Sequence, residues 1–131
     1  SAVQWIDKYT KEKDFIKATK FYFEGTKFFS HEIIDGKEVI TENSSQEVIP
    51  MIKEYFETSD IEVIEDNELS KKISFTSNNQ IATGISESII IMTSEGNKYQ
   101  SHGIVTLVFG IKNEQMVLLE SHDKNISFKQ L

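Results

Sequence analysis

The chain contains no cysteine, and its 131 residues include only one proline and six glycines. Without cysteine, disulfides, thiolate nucleophiles and cysteine-based zinc sites are excluded, and nothing in the sequence supports an oxidising compartment. No apolar run approaches the length of a membrane span, and no segment near Ser1 resembles a secretion signal. We therefore expect a cytoplasmic protein that contacts no membrane.

Arginine is absent as well. All 14 basic residues are lysine, there are 21 acidic residues, and the formal net charge is −7. Arginine carries most bidentate recognition of phosphate and guanine, and nucleic-acid binding requires a basic stripe, so we expect no nucleic-acid partner. No GxGxxG, P-loop, GxSxG or HExxH motif is found, so nucleotide cofactors, serine acyl transfer and zinc-protease chemistry lack support. We expect no cofactor.

What the sequence does contain is the length and composition of one globular domain spanning residues 1–131. Apolar residues recur at helical spacing in the N-terminal part, where Asp14 is a candidate helix cap and Gly25 a candidate stop. Asp35-Gly36 predicts a hairpin turn between two strands. Ser44-Ser-Gln-Glu47 is a capping-box pattern and predicts the start of a further helix, in which Pro50 fits only near the first turn or at a kink.

The second half of the chain indicates β structure. Two short strands are predicted at 61–65 and 72–76, and three long strands at 80–93, 98–110 and 116–123. Helices, a hairpin, a helix and then an antiparallel meander form an α+β pattern in which helices cover one face of the sheet.

The turns between the long strands predict which residues are neighbours. Closing the Glu95-Gly96 turn places His102 opposite Ile89, with Glu87 diagonally near. If Phe109 faces Met116 across the next turn, His102 lies opposite Asp123. Both predicted faces are apolar over much of their length, which is unusual for an antiparallel sheet with one wet face. A partner subunit is the simplest cover for the second face, so we expect a homodimer.

The final hairpin carries a resemblance to a known family. Thr106-Leu-Val-Phe-Gly, a polar turn and Met116-Val-Leu-Leu-Glu-Ser-His122 resemble the last hairpin of the nuclear transport factor 2-like superfamily, which includes ketosteroid isomerases, scytalone dehydratase and SnoaL-type polyketide cyclases. Met116 stands where tryptophan is usual, His122 matches the usual histidine, and Lys124 replaces the usual serine. The similarity in element order covers nearly the whole chain.

This resemblance implies a fold and a range of functions. The implied fold is a strongly bent antiparallel sheet wrapped around N-terminal helices and one further helix, a cone-shaped, cystatin-like α+β roll with an internal cavity. Members are often dimers; many are enzymes that use acid–base groups in the cavity, and many others only bind or assemble. Fold alone therefore predicts no activity.

Three histidines are the candidate acid–base residues: His31, His102 and His122. A neutral histidine is a natural general base near pH 7, and a carboxylate fixes its tautomer. His102 with Asp123 and Glu87 is the best such set, and it would suit a cofactor-free isomerase, dehydratase or cyclase. Three imidazoles would suit zinc, but His102 and His122 fall on opposite predicted faces, so we expect no metal site.

The alternative hypothesis is binding without catalysis. A pocket for a small, flat, apolar ligand is predicted from aromatic and imidazole side chains, namely Trp5, Tyr9, His31, Tyr55 and His122. For most of the aromatic residues, however, a place in the hydrophobic core is the better explanation. Under the catalytic hypothesis, Tyr9, Tyr22 or Tyr55 could donate a hydrogen bond to the developing oxyanion. Because polar groups of the family type are sparse, we favour a dimeric domain that binds a ligand or a protein.

Overall fold

The computed structural model describes residues 6, 8, 10, 12, 14–76 and 78–131. No helix formed by these residues combines the length and the apolar character needed to cross a membrane. In chain order, their helices and strands are α1 (Phe15–Ala18), β1 (Lys27–Ile34), β2 (Lys37–Ser44), α2 (Ser45–Thr58), β3 (Glu62–Phe75), β4 (Ala82–Ser94), β5 (Asn97–Lys112) and β6 (Gln115–Gln130).

The six strands form one curved, unclosed sheet, so the fold class is α+β as predicted. The strand order is β2-β1-β6-β5-β4-β3, which leaves β2 and β3 at the edges. Neighbouring strands are antiparallel except β1 and β6, which run parallel over a short stretch from Lys27–Glu120 to His31–Lys124. The β1–β2 hairpin is therefore attached to the meander through β6 alone among the strands.

Two-residue turns connect β1 to β2, β4 to β5 and β5 to β6, because the turn residues adopt the left-handed conformation. Asp35 and Gly36 have φ of 50° and 76°, which matches the twist of the flanking strands. Glu95-Gly96 forms a turn of the same kind, as predicted, with φ of 51° and 80°. The β5–β6 turn is shorter than the predicted three-residue turn and consists of Asn113-Glu114.

The helices α1 and α2 begin at the predicted caps. The Ser44 hydroxyl accepts a hydrogen bond from the Glu47 N–H at 3.3 Å, and the Glu47 carboxylate accepts one from the Ser44 N–H at 3.3 Å, so the capping box is present. Pro50 lies within α2, which continues to Thr58. Asp14 caps α1 by accepting a hydrogen bond from Lys17, but this helix ends at Ala18, well before the predicted stop at Gly25.

The buried core lies on the helix side of the sheet. Leu118 is completely buried and packs with Leu107 and Phe109, with Phe21 and Tyr22 against this cluster. The loop before β1 is hydrogen-bonded to the same strand: the Leu118 N–H donates to the Phe21 carbonyl at 2.7 Å, and the Thr26 hydroxyl donates to the Leu118 carbonyl at 2.6 Å.

Two predictions about the strands were wrong. The short strands predicted around Ile61 and Lys72 form one continuous strand, β3, with irregularities between Val63 and Glu65 and between Glu68 and Ser70. These bulges add local twist and let the edge strand stay paired with β4. In the sequence they appear only as breaks in the alternation of apolar and polar residues.

The predicted register of β6 was also wrong. Met116 pairs with Ile111 rather than with Phe109. Phe109 pairs with Leu118 and Val108 with Glu120, so Leu119 is an extra residue on β6. An extra residue moves every following side chain to the other face of the sheet. The shorter turn, the extra Leu119 and a second irregularity between His102 and Gly103 together pair His102 with Ser127 instead of Asp123.

Candidate functional site

A cavity lies between the sheet and α2 on the side that carries Leu107 and Leu118, which we call the inner face. Its volume is about 380 Å³, which is within the range of small-molecule sites. Alternate residues of β4 and β5 line it because strand side chains alternate between faces. Its main lining residues are Tyr55, Ile61, Val63, Asp66, Gly84, Ser86, Ser88, Ile90, Met92, Ser101, Gly103, Val105, Leu107 and Asp123.

The chemistry of this cavity is apolar with a few hydroxyl and carboxyl groups. Isoleucine, methionine, valine and leucine side chains form most of the wall, and three serines lie among them. A serine hydroxyl both donates and accepts hydrogen bonds, so the cavity offers weak and adaptable polar contacts. On β4, the small side chains of Ser86 and Ser88 and the absence of a side chain at Gly84 leave room for a ligand.

Asp123 supplies a carboxyl group to this wall. The residue is exposed to solvent on one side, yet the protein atoms packed around it desolvate the carboxylate and raise the pKa of Asp123. The charges of His122 and His31 oppose this shift and are the smaller effect. Burial of an ionised carboxylate is unfavourable unless it is paired, so Asp123 is suited to donate or accept a hydrogen bond.

Tyr22 lies close enough to Asp123 for their charges to interact. Burial, followed by the charge of Asp123, raises the pKa of Tyr22 to about 12. Its ring packs edge to face on Phe28 with centroids 5.3 Å apart. Tyr22 lines a second, smaller cavity of about 280 Å³ between the helices, and Tyr55 lines both cavities. Because its pKa is raised, the phenol of Tyr22 remains a neutral hydrogen-bonding group throughout the physiological pH range.

The opposite, outer face of the sheet carries all three histidines, and each binds a carboxylate. His102 Nε2 is 2.6 Å from Glu87 Oε2. His31 Nδ1 is 2.9 Å from Glu38 Oε1, and His122 Nε2 is 2.9 Å from Glu120 Oε1. The hydrogen bond from His31 and then the charge of Lys124 lower the pKa of Glu38.

His31 and His122 also bind each other. His31 Nε2 lies 3.0 Å from His122 Nδ1, although the two residues are 91 positions apart in the chain. The His122 ring stacks on Phe29 with centroids 4.5 Å apart and planes inclined by 7°. The parallel pairing of β1 with β6 brings these side chains together, since Phe29 pairs with His122 and His31 with Lys124.

The predicted site residues are thus divided between the two faces. Tyr55 and Asp123 line the cavity, whereas His31 and His122, predicted for the ligand pocket, do not. The predicted contact between His102 and Glu87 is present, but it lies on the outer face, and Asp123 is not opposite His102. Trp5 and Tyr9 lie outside the described residues.

Several residues of the cavity were not predicted as site residues. Ser86, Ser88 and Ser101 alternate with the outer-face residues, and the predicted β4–β5 register, which is correct, already places them on one face. The small size of these serine side chains beside the larger Ile90 and Met92 could have indicated a cavity on this face. Among the described residues, no three His, Asp or Glu side chains are grouped so that they could hold a metal ion.

Comparison with known proteins gives matches in structure only. No family model matches the chain, and no curated protein matches it. A hexachlorocyclohexane dehydrochlorinase, LinA-type3 from Novosphingobium barchaimii, matches with a TM-score of 0.67 and 8% identity over 99% of this chain and 88% of its own. A putative scytalone dehydratase from Novosphingobium aromaticivorans matches with a TM-score of 0.69 and 8% identity over 99% and 83% of the two chains.

A third match is a ketosteroid isomerase-like protein from Erwinia carotovora atroseptica, with a TM-score of 0.67 and 11% identity over 96% of this chain and 92% of that one. Identities this low establish the fold and leave the activity open. Enzymes and proteins of unknown function both occur among these neighbours. The chain has the nuclear transport factor 2-like fold, the cystatin-like α+β architecture expected from its final hairpin.

Proposed function

We propose that this domain binds a small, largely apolar molecule that carries at least one hydrogen-bonding group. The observation that carries the proposal is the inner-face cavity of about 380 Å³, with its apolar walls and the carboxyl group of Asp123. Apolar lining with a few placed polar groups is typical of small-molecule sites. In this proposal the isoleucine, valine and methionine side chains supply affinity, and Asp123 orients the ligand.

Catalysis is the second candidate, and it would depend on Asp123. The predicted partners His102 and Glu87 face away from the cavity, so a proton-transfer reaction there would use the carboxyl group, with Tyr22 as the nearby phenol. Structural neighbours include a dehydrochlorinase and a putative dehydratase. We favour binding, because a carboxyl group without an imidazole beside it is a limited acid–base set.

Fluorescence titration with 2-naphthol, a planar two-ring molecule with one hydroxyl, tests the proposal. Saturable binding to the wild-type protein is expected, and Ser88→Phe, which fills the cavity, should abolish it. Ile89→Phe is the matched control, since the next residue of β4 faces outward, and it should leave binding unchanged. Equal binding by wild type and Ser88→Phe would refute the cavity as the site.

The same assay tests the role of Asp123. Asp123→Ala should weaken binding of 2-naphthol by about tenfold, the effect of losing one hydrogen bond to a carboxyl group. Binding of naphthalene, which lacks the hydroxyl, should change little. If both molecules lose affinity equally, Asp123 shapes the cavity and does not anchor the ligand.

We also propose a homodimer through the outer face of the sheet. Isoleucine and valine side chains form an apolar stripe on the two strands β4 and β5, consisting of Ile85, Ile89, Ile91, Ile104 and Val108, which are half-buried or exposed. The adjoining edge strand β3 is polar on this face at Asn67, Ser70 and Lys72. A second copy fits because Glu87 and His102 bind each other within one chain at 2.6 Å, so the same apolar stripe with an already paired acid and base would meet itself across a two-fold axis.

Light scattering at micromolar concentration measures this association. We expect the mass of a dimer for wild type and of a monomer for Ile89→Lys, because a buried unpaired lysine is costly at an interface. Asn67→Lys is the control: it lies directly opposite Ile89 on β3, outside the stripe, and should remain dimeric. A monomeric wild-type protein would eliminate the homodimer.

A further inference from the structure

The outer face carries a chain of four titratable side chains that ligand binding does not use. Glu38, His31, His122 and Glu120 are joined in that order by contacts of 2.9, 3.0 and 2.9 Å. The two imidazoles are partly buried, with 18% and 26% of their side-chain surfaces exposed. The chain spans three strands, since Glu38 belongs to β2, His31 to β1, and the other two residues to β6.

If the carboxylates are ionised and all three contacts are hydrogen bonds, the chain must carry one proton more than two neutral imidazoles do. An ionised carboxylate only accepts hydrogen bonds, so His31 Nδ1 and His122 Nε2 must each carry a proton to bind Glu38 and Glu120. The contact between His31 Nε2 and His122 Nδ1 then needs a third proton. Three protons on four ring nitrogens give the two imidazoles a joint charge of +1.

We propose that the His31–His122 pair holds one shared proton and fastens the β1–β2 hairpin to β6 only while that proton is present. Adding a second proton places two N–H donors and two positive charges face to face at the 3.0 Å contact. Removing the shared proton leaves two lone pairs facing each other. Either change removes the central hydrogen bond, so the contact has a pH optimum, weakening in both acid and alkali.

The surrounding charges oppose loss of the shared proton. Among the described residues, the charged groups that face the pair come from three places: the β1–β2 hairpin, β6 and the inner face of the sheet. They are Glu38 and the Lys27–Glu42 pair, then Glu120 and Lys124, and then Asp123. Glu38, Glu120, Lys124 and one shared proton sum to zero charge, and an ionised Asp123 adds one negative charge, so these groups oppose loss of the shared proton. Gain of a second proton is opposed by the two imidazoles themselves, which are in contact at 3.0 Å.

The position of the pair determines which part of the molecule responds. His31 and Lys124 form the last pair of the β1–β6 ladder, and Glu32 to Ile34 pair with β2 alone. The other end of the ladder is held by the buried Thr26 hydroxyl. Loss of the central hydrogen bond should therefore loosen the ladder from the His31 end, while the β3–β4 ladder stays unchanged.

Hydrogen exchange measured by NMR from about pH 5 to about pH 9, a range around the ordinary imidazole pKa of about 6.5, tests the proposal. Protection factors, which correct for the chemical exchange rate, should pass through a maximum for β1 residues 29–31 and fall about tenfold on either side, the effect expected for one charge-assisted hydrogen bond. Amides of β3 and β4 should show no maximum. A protection factor that varies in one direction only, or does not vary, would overturn the proposal.

Variants separate the pair from histidine titration in general. His122→Asn should remove the maximum, whereas His102→Asn should retain it, because His102 binds a carboxylate on the same face without a second imidazole. A maximum that persists in His122→Asn contradicts the shared proton. The ¹⁵N shifts of the wild-type rings give an answer without a variant: three protons on four nitrogens at the optimum are expected, and two neutral rings would refute it.

Discussion

Replacing Thr26 by valine should destabilise the protein by about 2 to 3 kcal/mol, because it removes two buried hydrogen bonds at constant side-chain volume. Thr26 is 1% exposed. Its hydroxyl donates to the Leu118 carbonyl at 2.6 Å and accepts from the Phe23 N–H at 3.0 Å. Each bond contributes about 1 kcal/mol, and the Phe23 N–H left without its partner adds a desolvation cost.

Thr26→Ser is the matched control, because it keeps both hydrogen bonds and removes one buried methyl group. That loss should cost about 1 kcal/mol. Urea unfolding of the three proteins at one protein concentration gives the differences from the midpoints, provided that the slopes agree. If Thr26→Val is as stable as wild type, or if the serine variant is the less stable of the two, the hydroxyl does not hold the loop to β6.

Three further predictions concern the cavity and β6. Ionisation of Asp123 opposes folding because its pKa is raised in the folded protein, so the free energy of unfolding falls as pH rises above the ordinary aspartate pKa of about 3.9. In urea unfolding, Asp123→Asn should be more stable than wild type near pH 7 by at most about 1 kcal/mol, because Asp123 contacts solvent. This advantage should disappear toward about pH 4. The Tyr22 pKa of about 12 predicts that the last step of a tyrosinate absorbance titration disappears in Tyr22→Phe, and an unchanged titration would contradict its burial. Gly110→Ala should cost about 1 to 3 kcal/mol, because the added Cβ would lie 2.6 Å from Leu119 Cδ1; thermal unfolding equal to wild type would show that Leu119 moves aside freely.

Local features were predictable from the sequence because neighbouring residues determine them. The Asp35-Gly36 turn and the Ser44–Glu47 capping box depend on residues at most three positions apart, and both are present as predicted. The β4–β5 register followed from the Glu95-Gly96 turn, since a two-residue turn fixes every pair beyond it. Thus the pairing of Ile89 with His102 needed no tertiary information.

The parallel pairing of β1 with β6 could not be predicted in this way. It joins segments about 90 positions apart, and no turn connects them directly. Sequence alternation places His31 on a strand but does not identify the strand beside it. The contact between His31 and His122 therefore became visible only with the fold, although both residues were already candidates for the site.

A single residue of β6 determines which chemistry the cavity receives. Val117, Leu118 and Leu119 are all apolar, so alternation gives no phase for this part of the strand, and a regular ladder is as consistent with the sequence as a bulge. With Leu119 as the extra residue, Leu118 remains in the core, His122 turns outward, and Asp123 turns inward. Without it, an imidazole would face the inner side and the carboxyl group would lie outside. The bulge thus gives the cavity a carboxyl group and leaves His122 free to bind His31.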